Sequence, residues 1–175
     1  VARFDTVHFN QVGSFALGNS VFELDSGYRV FGLQKGLALQ SQDIYATDFD
    51  FLGGMIQEKS VQTYQQDNFG QSSPMVILNE NYFSGVSRFG VLGPIDSLFL
   101  YCYGPYGDTL WTHFVAKDST LGLRATALTA QHDLLLAGIH YPGWVNGTTE
   151  AFVYRLDSLG TVKSFHGYAN FDGND

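Results

Sequence analysis

The stretch Ala151-Phe-Val-Tyr-Arg-Leu-Asp-Ser-Leu-Gly-Thr-Val162 has the pattern of an apolar strand, a short turn and the start of a second strand. β-Branched and aromatic residues fill the first half, and the turn contains a glycine, Gly160. Equivalent glycines, Gly53 and Gly107, precede it at intervals of about 53 residues. A second set recurs with the same period: Gly32, Gly85 and Gly138. A fixed period of about fifty residues indicates a repeat architecture.

Each repeat holds four short apolar runs separated by turn residues, and none shows a sustained helical period. Four antiparallel strands with a tight turn between the third and fourth are typical of one blade of a β-propeller. We therefore predict an all-β fold over residues 1–175, a β-propeller of about three four-stranded antiparallel blades with approximate repeats 5–61, 62–115 and 116–168. A β-sandwich and a β-solenoid are alternatives, but neither usually repeats a four-strand unit at this period.

Three blades are fewer than the four to eight that usually close a propeller. The two ends of the chain have the same phase within the repeat, so we expect them to belong to neighbouring blades. Exposed sheet edges favour association. We therefore expect a larger ring, completed either by further blades of the same longer chain or by a homo-oligomer.

The composition is that of an acidic chain, with nine Lys and Arg against 17 Asp and Glu and a formal net charge of −8. This balance argues against nucleic acid as a partner, because such binding depends on neutralising phosphates. It also argues against adhesion to an anionic membrane surface. No apolar run approaches the length of a membrane span, which is about 18 to 20 residues.

Several of these elements resemble the propeller repeats of secreted Bacteroidetes proteins, in the manner of type IX secretion cargo. Those repeats have an apolar run ending in Ala-Gly, a loop, a strand leading into Leu-Asp-x-x-Gly, and a strand that carries Trp. The matching segments are Asp133-Leu-Leu-Leu-Ala-Gly138, Ala151–Val162, Phe49-Asp-Phe-Leu-Gly53 and Asp108-Thr-Leu-Trp111. The resemblance implies export to the cell surface or the medium, and it implies no shared catalytic residue.

Candidate glycosylation sites fit that origin. Asp followed by Ser or Thr and then by an apolar residue or Thr resembles the O-glycosylation sequon of exported Bacteroidetes proteins, and the candidate acceptors are Thr6, Ser97, Thr109, Ser119 and Ser158. The alternative is that these are ordinary turn residues at strand ends. Asn146-Gly-Thr148 also fits an N-glycosylation acceptor.

Catalytic patterns are weak, so we predict no catalytic residue, no metal site and no cofactor. Cys102, the single cysteine, is a nucleophile or a packed core residue, and we favour the core. A glycosidase or lyase with a site in the propeller channel is the first alternative function. It would need convergent carboxylates, and the acids near the inner strands are Glu23, Asp25 and Asp133.

The loops between the second and third strands are unusually apolar for surface loops. Their candidate binding residues are Leu37, Phe89, Leu92, Tyr141, Trp144 and Asn146. Apolar residues clustered on one rim are typical of a partner surface, and an exposed Trp suits stacking on a sugar or a protein side chain. We therefore predict a non-catalytic binding or display module that contacts a protein or a glycan, with a lectin as a further alternative.

Overall fold

The computed structural model describes residues 15–35, 42–61, 66–68, 75–89, 95–116, 121–140 and 150–169. Within these ranges every regular element is a β-strand, and no helix is present. The strands form three antiparallel sheets, each with four successive strands that pair in chain order, and one sheet has a fifth strand that pairs out of chain order. The predicted all-β fold of three four-stranded antiparallel sheets is confirmed. The chain divides into two compact units, residues 1–67 and 68–175.

The first unit contains sheet A, in the order β1-β2-β3-β4. Its strands are β1 (Phe15–Leu24), β2 (Gly27–Lys35), β3 (Gln42–Asp50) and β4 (Met55–Val61). The register pairs Arg29 with Asp48 and Phe31 with Ala46, so these residues share one face. That face is buried, with Arg29 only 2% exposed. On the other face Val30 is half-buried.

The second unit contains sheets B and C. The strands of sheet B are β6 (Val76–Leu78), β7 (Asn81–Phe89), β8 (Ile95–Tyr103) and β9 (Thr109–Ala116), and β5 (Gln66–Asn68) also pairs with β7. Sheet C follows the order β10 (Leu121–Leu128), β11 (Leu134–His140), β12 (Glu150–Leu156) and β13 (Val162–Ala169). Each sheet therefore repeats the strand order of sheet A.

Three tight turns of identical design join the third and fourth strands, at residues 50–54, 104–108 and 157–161. In each, the first amide donates to the fifth carbonyl (2.8, 2.8 and 3.0 Å), and the fourth amide donates to the first carbonyl (3.0, 2.9 and 3.0 Å). The fourth residue is Gly53, Gly107 or Gly160, with φ of 86°, 79° and 87°. This is a type I turn closed by a left-handed glycine, which explains the recurrence of that glycine.

The turns between the first and second strands use other residues in the left-handed region. Asn79 and Glu80, with φ of 50° and 65°, form the two-residue link from β6 to β7. His132 has φ of 62° in the turn from β10 to β11, at the position that glycine occupies in the other three-residue loops. That turn is supported by Thr129, whose hydroxyl accepts from the amides of Gln131 and Asp133.

Sheets B and C pack face to face around a glycine. A Cβ on Gly85 would lie 2.6 and 2.7 Å from methyl carbons of Leu123 and Leu136, so only glycine admits these two side chains. The surrounding core includes Leu98, Leu100, Leu134, Phe152 and Leu156, each no more than 1% exposed. Burying such side chains stabilises the pair of sheets by about 1.5 to 3 kcal/mol for each one.

The second set of periodic glycines does not occupy one structural position. Gly32 faces Tyr45 and Gly138 faces Phe152, whereas Gly85 faces Leu100. Along the sequence, Leu100 is one residue closer to the start of the tight turn in its sheet than Tyr45 and Phe152 are to the starts of the tight turns in theirs. The residue of sheet C equivalent to Gly85 is therefore Ala137, and Gly85 points to the opposite face from Gly32 and Gly138.

We predict that His132→Gly stabilises the protein by about 1 kcal/mol, because glycine adopts a positive φ without the steric cost of a side chain. Urea unfolding of the wild type and the variant measures the difference. Gln131→Gly is the matched control, since it adds glycine's flexibility in the same exposed turn without relieving a positive φ, and it should not stabilise. Equal or lower stability of His132→Gly would contradict the prediction.

Candidate functional site

In the second unit the tight turns of both sheets lie at one end, which we call the turn rim: residues 79–80, 105–107, 130–132 and 158–160. Two hydrogen bonds between the sheets fix this alignment. The Gly85 amide donates to Thr126 Oγ1 (3.1 Å), and the Leu123 amide, farther from the turns, donates to Ser87 Oγ (3.0 Å). The tight turns of sheet B and those of sheet C therefore lie at the same end of the second unit.

Each turn between third and fourth strands displays a large apolar residue just before its glycine. Tyr106 is 70% exposed and Leu159 is 74% exposed on the turn rim. In the first unit Leu52 holds the same position in its turn and is 94% exposed. Apolar side chains are often exposed singly, but the same exposed position in all three turns is a repeated feature of the surface.

Side-chain hydrogen bonds hold two of these turns rigid. The Asp157 carboxylate accepts from the amides of Leu159 and Thr161, both at 2.9 Å, and the Thr161 amide is the main cause that lowers the pKa of Asp157. Asp50 accepts in the same way from the amides of Leu52 and Gly54 (2.8 and 2.7 Å). The displayed leucines therefore lose little backbone freedom if they are covered by a partner.

The turn that carries Leu159 is also held by sheet B. A Cβ on Gly160 would lie 3.0 Å from Cγ of His113 on β9, so the backbone of the turn packs directly against this ring. In the turn that carries Tyr106, Pro105 restricts the backbone at the first loop position. Tyr106 and Leu159 therefore stand on one rigid body and can be covered by one partner.

The acids considered for catalysis are divided between the two compact units. Asp133 is buried, and its carboxylate accepts hydrogen bonds from Lys163 Nζ at 2.6 Å and from Arg155 Nε at 2.7 Å. The hydrogen bond from Lys163 is the first cause that lowers its pKa. Glu23 and Asp25 are exposed and belong to the first unit. Asp133 therefore serves as a structural anchor between strands.

A second charged cluster lies in sheet A. Arg29 Nε and one of its terminal nitrogens donate to the two carboxylate oxygens of Asp48 at 2.6 and 2.7 Å, and Gln57 also donates to Asp48. Burial of the carboxylate raises its pKa, but the hydrogen bonds from Arg29 and Gln57 and the Arg29 charge outweigh burial, and the pKa of Asp48 is lowered. Arg29, Asp48 and Gln57 therefore connect the second, third and fourth strands of sheet A.

Cys102 lies in the core between sheets B and C and is 1% exposed. Burial raises the pKa of its thiol to about 11, so the thiolate is rare at neutral pH. The packed-core interpretation of this cysteine is confirmed. Within the described ranges, no group of three or more His, Cys, Asp or Glu side chains is placed to hold a metal ion.

Most of the predicted loop-face residues lie outside the described residues: Leu37, Leu92, Tyr141, Trp144 and Asn146. Phe89 ends β7 and pairs with Ile95 in the backbone register. The described residues on either side of positions 141–149 are His140 and Glu150, and His140 Nδ1 lies 3.2 Å from Glu150 Oε2. The predicted loop-face site therefore stays a prediction.

The glycosylation candidates have different surroundings. Ser158 is exposed on the turn rim, and Ser97 is half-buried in β8. Thr109 is half-buried at the start of β9, and its hydroxyl oxygen is fully buried. Thr6 and Ser119 lie outside the described residues. Accessibility is therefore greatest at Ser158 among the three that the structure describes.

Leu52, Tyr106 and Leu159, the exposed apolar residues of the three tight turns, were not predicted as site residues from the sequence. A signal was available, because each residue directly precedes a turn glycine that recurs with the repeat. Turn positions usually carry polar residues, so a large apolar residue at the same turn position in three repeats is the informative deviation.

Comparison with known proteins yields no relative: no protein-family model matches the chain, and no curated protein matches it. In the part of the chain that the structure describes, no helix has the length and apolar character needed to cross a membrane. The function must therefore be argued from the surface itself.

We predict that Asp48→Asn destabilises the protein by about 3 kcal/mol at neutral pH, because it leaves the buried Arg29 charge without its counter-ion. The lowered pKa of Asp48 means that its stabilisation is present above the usual carboxyl pKa and is lost as the pH falls through the lowered folded pKa. The difference between wild type and variant should therefore shrink in acid.

Urea unfolding at a series of pH values measures this effect. Glu58→Gln, an exposed acid-to-amide change in the same sheet, is the matched control and should change stability little. A difference for Asp48→Asn that stays constant from neutral to strongly acidic pH would refute this account of the buried pair.

Proposed function

We propose that this chain is a non-catalytic binding module that presents rigid turns and loops to a protein partner. The observation that carries this proposal is the repeated display of a large, exposed apolar residue on a rigid tight turn. Leu52, Tyr106 and Leu159 hold the same turn position in three sheets. A rigid turn that exposes an apolar side chain loses little conformational entropy on binding, so much of the burial energy becomes affinity.

The turn rim of the second unit suits a partner with an apolar surface. Tyrosine is enriched at protein interfaces, because its ring buries a large area and its hydroxyl can still form a hydrogen bond. Leu159 adds a second apolar contact on the same rigid body. The buried acids, by contrast, are engaged in ion pairs, and this favours binding over hydrolysis as the role of the surface.

We further propose that the sheets are blades of a β-propeller and that the chain is exported. The repeated four-stranded order, the tight turns of one design and the face-to-face packing of sheets B and C support the propeller. The resemblance to secreted Bacteroidetes repeats supports export. In a propeller, the turn rim and the loops that carry Trp144 and Leu92 would form opposite binding faces.

We predict that the double variant Tyr106→Ala, Leu159→Ala weakens binding of protein ligands by about 2 kcal/mol or more, since exposed anchors carry a large share of interface energy. Peptides selected from a displayed random library against the wild-type chain provide the probe, and calorimetry measures their affinity for both proteins. The melting temperature should change little, because both side chains are largely exposed.

Thr112→Ala, together with Thr161→Ala, is the matched control, since both residues are exposed in the second unit and lie outside the turn rim. This control should leave peptide affinity unchanged. Failure to select any binding peptide, or equal affinity of the double variant, would argue against the turn rim as the binding surface.

The loop face generates a separate prediction. If Trp144 anchors a glycan or protein partner, Trp144→Ala should weaken that binding by about 2 kcal/mol and leave the melting temperature unchanged. A glycan array followed by calorimetry on the best binder measures the first quantity, and thermal unfolding measures the second. A variant with a lower melting temperature and unchanged affinity would show that the indole only covers the sheet.

A further inference from the structure

One face of sheet C differs in burial from the other. The face that holds Leu134, Leu136 and Phe152 is buried against sheet B. The opposite face, which we call the open face of sheet C, is half-buried to exposed along its strands. The antiparallel register places Leu135, Ala137, Ile139, Val153, Arg155 and His166 on it.

The open face of sheet C corresponds, position by position, to the face of sheet B that packs against sheet C. Counted from the tight turns, Phe83, Gly85 and Leu100 of sheet B correspond to Leu135, Ala137 and Val153 of sheet C. Both faces have a small residue at the centre flanked by apolar residues, and they differ two residues before the tight turn, where sheet B has Cys102 and sheet C has Arg155. In sheet B that small residue makes room for Leu123 and Leu136. The open face therefore has the form of a surface that receives another sheet of the same kind.

One face of sheet A corresponds to the face of sheet C that packs against sheet B. On sheet C, that packing face consists of Leu134, Leu136, Phe152 and Leu156. The equivalent positions of sheet A hold Tyr28, Val30, Tyr45 and Phe49, which are half-buried and form what we call the half-buried face of sheet A. Gly32 and Gly138 are also equivalent, so the two faces share their close-packed centre.

The charges on the two faces are complementary. Arg155 lies on the open face of sheet C, and its cluster with Lys163 and Asp133 has two positive groups and one negative group, a net positive charge. The half-buried face of sheet A holds Glu23 and Glu58, both exposed. A symmetric contact between two open faces of sheet C would oppose like charges, whereas a contact with sheet A opposes unlike charges.

We propose that the open face of sheet C is a docking surface for a second copy of this chain, covered by the half-buried face of that copy's sheet A in a head-to-tail contact. The contact is distinct from the turn rim. Four strands about 4.8 Å apart and about seven residues long give roughly 400 Å² per copy. The total of roughly 800 Å² is below the roughly 1,200 Å² of standard specific interfaces, so weak association, in the range of about 100 μM, is expected.

Sedimentation velocity of the full chain tests the docking. The mean mass should rise above that of the 19.3 kDa monomer as the concentration increases from about 1 to 200 μM. Ala137→Arg places a charge at the centre of the open face and should weaken association at least about tenfold. Gln131→Arg adds the same charge to an exposed turn of the same unit and should have no effect. If Ala137→Arg fails to fold by circular dichroism, Ala151→Arg, an exposed position on the same face, replaces it.

A charge exchange identifies the occupant. His166→Glu should weaken association because it opposes the acids of sheet A, and adding Glu58→Lys to the same chain should restore it. A monomer at all concentrations would overturn the proposal. Association that Ala137→Arg leaves unchanged would overturn it as well, and so would association weakened by His166→Glu but not restored by Glu58→Lys. The last result would indicate a different occupant of the face.

Discussion

The left-handed glycine before every fourth strand is the constraint on which the rest of the structure depends. Gly53, Gly107 and Gly160 close turns with the same hydrogen bonds, and a β-bulge follows at the same distance from each turn. Because a shift of one residue in register exchanges the two faces of a strand, this turn decides which side chains enter the core. It also decides which residue is displayed at the tip, and that residue is apolar in all three sheets.

Polar contacts complement this arrangement. Arg29 with Asp48, and Asp133 with Arg155 and Lys163, tie strands of one sheet together by charge. Such pairs add little net stability relative to well-packed apolar residues, but they penalise any register that separates the partners. Asp48 and Arg155 hold the same position, two residues before their tight turns, and carry opposite charges, so the sheets share a backbone design and differ in the side chains that fix it.

The sequence was sufficient to predict the sheets, because alternation of apolar residues and turn glycines is a local signal. It was misleading for Gly85, which shares the period of Gly32 and Gly138 but faces the other way, since one residue fewer separates its partner Leu100 from the turn. Burial of Asp133 in an ion pair depends on Arg155 and Lys163 reaching it across strands, which spacing does not reveal. The exposure of Tyr106 and Leu159 was also hidden, because an apolar residue near a glycine is equally compatible with a core position.

The two hydrogen bonds between sheets B and C have a consequence for how the second unit comes apart. Gly85 and Leu123 each donate a backbone amide to a hydroxyl of the other sheet, to Thr126 and Ser87 respectively. If the two sheets separated, water would replace these hydrogen bonds, and the loss of each would cost about 0.5 to 1.5 kcal/mol. This penalty adds to the loss of the shared core. The two sheets therefore form one cooperative unit, whose amides exchange with solvent hydrogen by a common opening.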